Sequence, residues 1–403
     1  MALSLTDAQL KIIKGELFLF KDPMPALPKP TNTDDDSVAT NLAARMKPIA
    51  ADPRFTDISI GVVDFTADRM APRVWVHNED VSWRIASSGK IGVLLAAAQL
   101  RDDVRKVKAT GLVTAASDFD DLFATIWLKS SNSRVREIAN TEGSPRVSTT
   151  VDLTKPVPDF LGADVAIDRA KLTALGHVDW TGLPKLTFSE RLWLMGAESD
   201  NVAATSCISE IGVAYLKAVQ RGWGLFDEDR GMHMLLAAGY SGVVTKTRVT
   251  TAAGAPEYRA LRNSESHFVS DVWIDKKTKK PSHSSTQPGS VAALTAYMIA
   301  LMQDKLIDKD ACDAIRAHLA DEGADTEHGS VVRGVRAIAT VTKAHAKVGV
   351  LGSLRCEFAY MESGGHKYAI VAEGVLPKRV GANHFSAETQ GQDLAKAIHG
   401  ALA

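Results

Sequence analysis

The sequence has little of several features that would place a protein in a specialised class. Its three cysteines, Cys207, Cys312 and Cys356, are an odd and widely spaced set, which argues against a disulfide framework and fits a reducing compartment. Aromatic residues make up 6% of the chain, and no apolar run reaches a membrane-spanning length. Lys plus Arg (47) nearly balances Asp plus Glu (48), so the charge indicates neither a nucleic-acid partner nor a membrane surface.

The sequence also lacks the short motifs of metal and phosphate sites. It has no His-Glu-x-x-His, no Cys-x-x-Cys pair and no phosphate loop, so we expect no metal and no cofactor. Residues 1–18 are amphipathic, without a basic start and a continuous apolar core, which predicts no secretory signal and a cytoplasmic protein. The remaining composition, 45% apolar and 24% charged, is typical of a globular enzyme of ordinary size.

Segments with strand-like sequence lie near both ends of the chain. Residues 57–65 and 73–79 are β-branched runs separated by a polar turn, which predicts a hairpin. Residues 337–350 alternate like a strand, and residues 354–374 predict a second hairpin that turns at its Gly-Gly pair. We therefore expect strands from both termini to share one sheet.

Helical patterns fill the middle of the chain, from about residue 87 to 240, and another covers 387–402. Thr187 and Glu190 stand at capping-box spacing, which predicts a helix start there. Strands at both ends with helices between them favour an α/β (α+β) protein with an inserted, mainly helical domain. The predicted boundaries are 1–80 and 282–403 for the sheet domain and 81–281 for the helical domain with its insertions.

The first candidate site lies in the stretch SWRIASSGKIGVLLAAAQL, residues 82–100. Nearly every residue from 91 to 100 is apolar, which predicts a buried helix with Ser87 at or near its N-terminus. Free backbone N–H groups at that end favour developing negative charge. Lys90 follows on the same face, and burial disfavours its charged form, so it suits a base for the Ser87 hydroxyl. The alternative is structural, with Ser87 or Ser88 capping the helix and Lys90 reaching water at its edge.

Two further motifs follow the first in order along the chain. Ser199-Asp200-Asn201 occurs once, and Lys347-Val348-Gly349 lies in the predicted strand. Each motif alone is weak evidence, because Ser-Asp-Asn also suits a helix cap and Lys-Val-Gly also suits an edge strand. Serine β-lactamases and penicillin-binding proteins carry Ser-x-x-Lys, Ser-Asp-Asn and Lys-Thr-Gly in this order. The chain resembles that superfamily from about residue 57 to 375, most closely its class A β-lactamase branch.

This resemblance implies a fold and a set of catalytic residues. The fold would be β-lactamase/transpeptidase-like, with an antiparallel sheet flanked by helices and the inserted helical domain. Ser87 would be the acylated nucleophile and Lys90 its base or proton relay. Ser199 would pass a proton toward the leaving group, and Lys347 would supply positive charge near Ser199 and the substrate.

The same resemblance implies a set of substrate contacts. Asn201 would contact the amide side chain of the substrate and also Lys90. Val348, Gly349 and Val350 would line the substrate site, and the N–H groups of Ser87 and Val350 would form the oxyanion hole. The expected partner is a small-molecule or peptide-like substrate, and the oligomeric state is left open.

The sequence departs from the superfamily pattern in three places. Val348 replaces the hydroxyl residue that helps to grip the carboxylate of penicillins. The class A Glu-x-x-x-Asn, whose glutamate activates the deacylating water, has no counterpart between 202 and 285, where Glu228 and Glu257 are the nearest candidates and surface positions are favoured for both. The gap from Ser87 to Ser199 is long (199 − 87 = 112 residues), with extra chain at roughly 129–186.

Three hypotheses of function stay open on these residues. The first is a serine acyl-hydrolase acting on an amide, lactam or ester bond. The second is a D-peptidase or acyltransferase on the same machinery. The third is a non-enzyme, either a scaffold or a β-lactam-binding sensor that is acylated and deacylates slowly, without efficient turnover. His345, two residues before Lys347, has a possible place on the same strand face, and Arg333 and Arg336 are weaker candidates for an anionic substrate.

Overall fold

A five-stranded antiparallel sheet organises the protein, and its strands come from both ends of the chain. The computed structural model describes residues 5–21, 24–33, 41–113, 118, 122, 167–175, 178, 182, 185–211, 213–227, 229–235, 246–250, 256–260, 271–274, 281–284, 288–319 and 329–403. The described helices are α1 (Asp7–Glu16), α2 (Leu42–Ala51), α3 (Ile91–Ala109), α4 (Arg169–Leu175), α5 (Phe188–Gly196), α6 (Asn201–Ile211), α7 (Val213–Gly222), α8 (Val291–Met302), α9 (Lys309–Ala317), α10 (Ser330–Arg336) and α11 (Ala387–Leu402).

The described strands are also numbered in chain order. They are β1 (Ser59–Asp64), β2 (Arg73–His77), β3 (Trp83–Arg84), β4 (Phe226–Asp227), β5 (Met232–His233), β6 (Lys246–Thr250), β7 (Pro256–Ala260), β8 (Asp271–Ile274), β9 (Pro281–Ser284), β10 (Pro288–Gly289), β11 (Val341–Leu351), β12 (Leu354–Ser363), β13 (His366–Val375), β14 (Lys378–Val380) and β15 (Asn383–Phe385). The order across the large sheet is β11-β12-β13-β1-β2. β1 therefore lies between its hairpin partner β2 and β13, a strand that comes more than 300 residues later in the chain. The register places Ser59 opposite Glu373 and Asp64 opposite Tyr368.

Both faces of this sheet are covered, and each has its own apolar core. Ala369 and Val371 of β13 belong to a core with α3 and α8, whereas Ile370 and Ala372 belong to a core with α2, α10 and α11. Every residue of β1 is buried, as expected for a strand covered on two sides. Full burial of each Val, Leu or Ile side chain contributes about 1.5–3 kcal/mol, so the two cores hold the sheet rigidly between helices.

Two helices bury apolar segments on the first of these faces. Residues 91–98 of α3 are all buried, and α8 is similarly covered where it crosses β1. Gly61 permits this crossing, because a Cβ there would lie 2.3 Å from Thr295 Oγ1 of α8. Since α3 is anchored along its length, the turn that precedes it has a fixed place above the sheet.

The N-terminal segment is tied to α3 through a buried carboxylate. Asp103 accepts hydrogen bonds from the Phe18 backbone N–H (3.0 Å), the Tyr215 hydroxyl (2.9 Å) and the Gln99 side-chain amide (3.2 Å). The Phe18 ring stacks on Trp223 with a centroid distance of 5.5 Å, and the Trp223 indole donates to Gln99. The N-terminal segment, α3 and α7 therefore meet at one side chain.

The structure confirms the mixed fold class and most of the predicted elements. Residues 57–65 and 73–79 form the β1–β2 hairpin, and β12 and β13 turn at Gly364 and Gly365 as expected. Thr187 caps α5 with the predicted capping box, and α11 covers the whole of the predicted 387–402. The strand expected from residue 337 begins only at Val341, because α10 and its C-cap extend to Ala337.

Three further expectations concern the whole chain. All three cysteines are buried and free of disulfides. Within the described ranges, no helix has both the length and the apolar composition to cross a membrane. The domain boundaries at residues 80 and 281 and the cytoplasmic location stay predictions.

Candidate active site

Ser87 lies in a 3₁₀ turn, Ala86–Lys90, that leads directly into α3. The sequence predicted an α-helical start here, and the tighter turn brings residues i and i+3 into register, so Ser87 and Lys90 share one side. Ala86 has φ of +46°, a left-handed conformation that is strained for alanine. Ser87 is partly exposed, whereas Ser88, Gly89 and Lys90 are buried. Only the first of the two serines is thus accessible to a substrate.

Lys90 joins the first motif to the second. Its side chain is fully buried, and its Nζ lies 2.5 Å from the Ser199 carbonyl oxygen and 2.8 Å from Asn201 Oδ1. The same nitrogen lies 3.4 Å from Ser199 Oγ and 3.5 Å from the Asp200 carbonyl oxygen. These contacts offset the desolvation free energy of a buried lysine, because each N–H has an acceptor in place of water.

The second motif forms the turn between α5 and α6. Ser199 has φ of +58°, and Asn201 is the first residue of α6. Asp200 is buried and accepts the Ala203 backbone N–H at 2.7 Å, which satisfies one of the free donors at the helix N-terminus. Asp200 therefore caps α6 and fixes the orientation of its two neighbours, Ser199 and Asn201. A helix cap is also what the Ser-Asp-Asn sequence suits.

A buried ion pair fixes the two helices that flank this turn. Arg191 of α5 contacts the Glu210 carboxylate and the Ser206 hydroxyl of α6, and its side chain is only 1% exposed. Removing one partner of a buried pair is strongly destabilising, about 3–5 kcal/mol, because the other charge is left without compensation. The turn of the second motif is thus held between two helices whose separation would cost the free energy of a broken buried ion pair.

The third motif lies on β11, the edge strand of the large sheet. Lys347 pairs with Phe358 across the strands, and Gly349 pairs with Cys356, so both face the core that contains α3. The Lys347 side chain is 1% exposed, and its Nζ lies 3.3 Å from the Val348 carbonyl oxygen. A second buried amine is thus placed on the sheet face from which the nucleophile turn rises.

Gly349 permits β11 to touch the nucleophile turn. A Cβ at this position would lie 2.1 Å from the Ile85 carbonyl oxygen and 2.9 Å from both the N and the Oγ of Ser88. No other residue fits this contact without moving the strand or the turn. The Ser88 hydroxyl also donates to the Cys356 carbonyl oxygen at 2.7 Å, so β11 and β12 both hold the turn.

Val348 points to the opposite face of the sheet from Lys347. Its cross-strand partner there is Glu357, a buried carboxyl that accepts the Ser330 hydroxyl and the Val331 backbone N–H (2.9 Å). Burial raises the pKa of Glu357 above its usual range. Val350 follows at the end of the motif, and its side chain is 47% exposed. On this face the third motif is therefore flanked by the Glu357 carboxyl and, opposite Val350, by Arg355.

The weaker candidates occupy other environments. His345 is opposite Tyr360 on the strand pair, and the two rings stack at a centroid distance of 6.1 Å. Arg333 forms an ion pair with Glu388 at 2.6 Å, and Arg355 lies 3.6 Å from the same carboxylate. Arg333 and Arg355 thus both have Glu388 as an acidic partner within the protein.

The structure brings the three motifs together but leaves parts of the prediction undescribed. Lys90 contacts the second motif, and Gly349 contacts the turn of the first. Glu228 and residues 129–166 lie outside the described residues, as does the side chain of Glu257. In the described part of the chain, no cluster of three or more His, Cys, Asp or Glu side chains has the arrangement of a metal site.

Comparison with known proteins gives one family and a set of solved structures. A family model described as "Beta-lactamase enzyme family" matches residues 173–401, which include Ser199, Asn201 and Lys347 and begin after Lys90. A search of curated protein sequences finds no match.

The solved structures that are similar to the chain share only 14% of its sequence. The β-lactamase from Sphaerobacter thermophilus has a TM-score of 0.43, with 90% of this chain and 94% of that one covered. The β-lactamase from Desulfarculus baarsii has a TM-score of 0.44, with 91% and 97% covered. A variant of the last common ancestor of Gram-negative class A β-lactamases, bound to 5(6)-nitrobenzotriazole, also gives 0.44, with 90% and 96% covered.

The family match spans more than half of the chain and includes the second and third motifs. The sheet to which the third motif belongs has an antiparallel order with helices on both faces. The chain therefore belongs to the β-lactamase enzyme family.

Proposed function

We propose that the protein is a serine acyl-hydrolase that forms an acyl-enzyme on Ser87. The observation that carries this proposal is the set of contacts around the Lys90 amine. A neutral amine has two N–H donors and one lone pair, and the two shortest Nζ contacts are to oxygens that can only accept. A third contact is to the Ser199 hydroxyl at 3.4 Å, which can both give and take a proton, so the lone pair of the neutral amine can exchange a proton with a hydroxyl as a general base requires.

The reaction follows from these positions. The Ser87 Oγ attacks the carbonyl carbon of the substrate, its proton moves to Lys90 Nζ, and the C=O bond becomes a C–O⁻ bond. The N–H groups of Ser87 and Val350 stabilise this oxyanion. The proton then passes through Ser199 to the leaving nitrogen or oxygen as its bond to carbon breaks. Water attacks the acyl-enzyme in the second half and releases the acid.

The other two residues of the site bind substrate. Asn201 holds Lys90 through its Oδ1, and its exposed position suits a contact with the amide side chain of the substrate. Lys347 supplies positive charge where negative charge develops. Gly349 keeps β11 against the nucleophile turn, so that the Val350 N–H is close to the reacting carbonyl.

We infer that the preferred substrate lacks the carboxylate of penicillins at the third motif. Val348 has no hydroxyl, and its side chain lies on the sheet face of Glu357, opposite to that of Lys347. Arg333 and Arg355 are engaged by Glu388. A substrate carboxylate would therefore have the Lys347 amine but no hydroxyl donor from position 348, whereas an ester or a neutral amide needs neither.

Slow deacylation, or transfer of the acyl group to an acceptor other than water, is the second candidate. The observation that favours it is the missing Glu-x-x-x-Asn between residues 202 and 285. Glu210, the first glutamate of that interval, is committed to the ion pair with Arg191. Without a dedicated base, the water that attacks the acyl-enzyme would be activated less.

The test is a panel of a chromogenic cephalosporin, p-nitrophenyl esters and D-alanyl peptides, followed by intact-protein mass spectrometry. We expect a mass adduct that maps to Ser87 and is absent in Ser87→Ala. Ser88→Ala is the matched control and should keep the adduct, because that hydroxyl is buried against the Cys356 carbonyl. An adduct that survives Ser87→Ala would refute the proposal, and a long-lived adduct would favour the second candidate.

A further inference from the structure

The turn of the second motif, Glu198–Asn201, is contacted from outside by α4 and by Val178, three residues after the end of α4. The Thr173 hydroxyl of α4 donates to Glu198 Oε1 at 3.3 Å. The Val178 backbone N–H donates to Asp200 Oδ2 at 3.2 Å. Both contacts come from the long stretch of chain that separates the first motif from the second.

The conformation of this turn needs external support. Ser199 is a non-glycine residue with positive φ, which costs about 1–2 kcal/mol relative to an ordinary conformation. Strained residues persist only where their surroundings hold them in place. Here the strained residue is the one whose carbonyl oxygen lies 2.5 Å from Lys90 Nζ.

The Asp200 carboxylate links the support to the site. Its Oδ1 accepts the Ala203 N–H of α6, and its Oδ2 accepts the Val178 N–H. One carboxylate thus fixes the residue between Ser199 and Asn201 from two sides. Both of those neighbours accept hydrogen bonds from Lys90.

We propose that Val178 and Thr173 are positioning residues for the proposed acyl-transfer site, acting through Asp200 and Glu198. They hold Ser199 in its left-handed conformation, and Ser199 in turn holds the Lys90 amine. Loss of the Val178 contact lets the turn relax and moves the Ser199 carbonyl, so Lys90 loses an acceptor. This inference rests on the proposed function and extends the catalytic machinery to the segment before α5.

The test compares Val178→Pro with Val178→Ala in the full chain. Proline removes the backbone donor, but it also fixes φ and replaces the side chain. Alanine keeps that donor and shortens the side chain, so it controls for the loss of the valine side chain. We expect Val178→Pro to lower the acylation rate constant about tenfold to a hundredfold, as for loss of a hydrogen bond to a charged group. KM should change little, and the pH profile of acylation should shift because the surroundings of Lys90 change. Val178→Ala should keep the wild-type rate and profile.

Asp200→Asn serves if the proline variant does not fold. Asparagine keeps one acceptor for the Ala203 N–H and is a good N-cap, but its NH₂ cannot accept the Val178 N–H. We expect the same loss of rate and the same shift of the pH profile. A wild-type rate and profile in Asp200→Asn, or equal effects of proline and alanine at position 178, would overturn the inference.

A crystal structure of either contact-breaking variant separates this inference from the proposed function. If the wild type is not acylated by any probe in the panel, the proposed function fails. The positioning role is then decided by the turn itself, since it requires a changed Ser199 φ and a longer Lys90–Ser199 distance in the variant. An unchanged turn would refute the positioning role whatever the activity.

Discussion

Asp103 makes a sharp prediction about the pH dependence of stability. Burial raises the pKa of this carboxyl from 3.8 to about 7, against the opposing effects of its hydrogen bonds from the Phe18 N–H and the Tyr215 hydroxyl. Asp103→Asn imitates the protonated acid, because its oxygen accepts the Phe18 N–H while its NH₂ donates to the Tyr215 oxygen. The variant therefore removes the titration while keeping the shape.

The sign and size follow from linkage. The pKa of Asp103 is higher in the folded state, so its stability contribution is complete below pH 3.8 and is lost as the pH rises through about 7. The full loss across this shift is about 4 kcal/mol, and the part that falls between pH 5 and pH 8 is about 3 kcal/mol. Asp103→Asn should not show this loss.

The assay is urea unfolding of both proteins at several pH values between 5 and 8. Because other groups titrate in both proteins, the informative quantity is the difference between their free energies of unfolding. We expect the variant to gain about 3 kcal/mol relative to wild type from pH 5 to pH 8. Asp310→Asn, at an exposed position on α9, should give a flat difference. A flat difference for Asp103→Asn as well would refute the reasoning.

Residues of the proposed site give further expectations. Ser87→Ala should abolish acylation by intact mass while the melting temperature stays within a few degrees, because Ser87 is partly exposed and its side chain caps neither the 3₁₀ turn nor α3. Lys90→Met should lower the stopped-flow acylation rate about a hundredfold or more, and a wild-type rate would show that Lys90 is only structural. Gly349→Ala should lower both acylation and the melting temperature, whereas Gly400→Ala, in open space on α11, should slightly raise the melting temperature.

The fold was predictable where local sequence and the periodicity of apolar residues agree. The β12–β13 hairpin follows from two alternating runs around a Gly-Gly pair, and α11 follows from a capped amphipathic pattern. The start of α5 follows from the Thr187 capping box. In each case the stabilising contact lies within a few residues of the signal.

The remainder depends on contacts that no local pattern specifies. The left-handed conformation of Ser199 has no glycine to mark it, and the pairing of Val348 with Glu357 depends on strand register. The contact of Val178 with Asp200 joins residues on either side of α5. At the candidate site, the three motifs could be identified in the sequence, whereas the residues that contact them could not.

The place of β1 in the sheet has a consequence for synthesis on the ribosome. β1 and β2 emerge early, but the second neighbour of β1 is β13, which ends at Val375. Until then the hairpin has an unpaired edge and an uncovered apolar face, a combination that favours association with other chains. Native pairing over such a sequence separation is also slow. A nascent chain that is stopped short of β13 should therefore accumulate as an aggregation-prone intermediate rather than as a smaller folded domain.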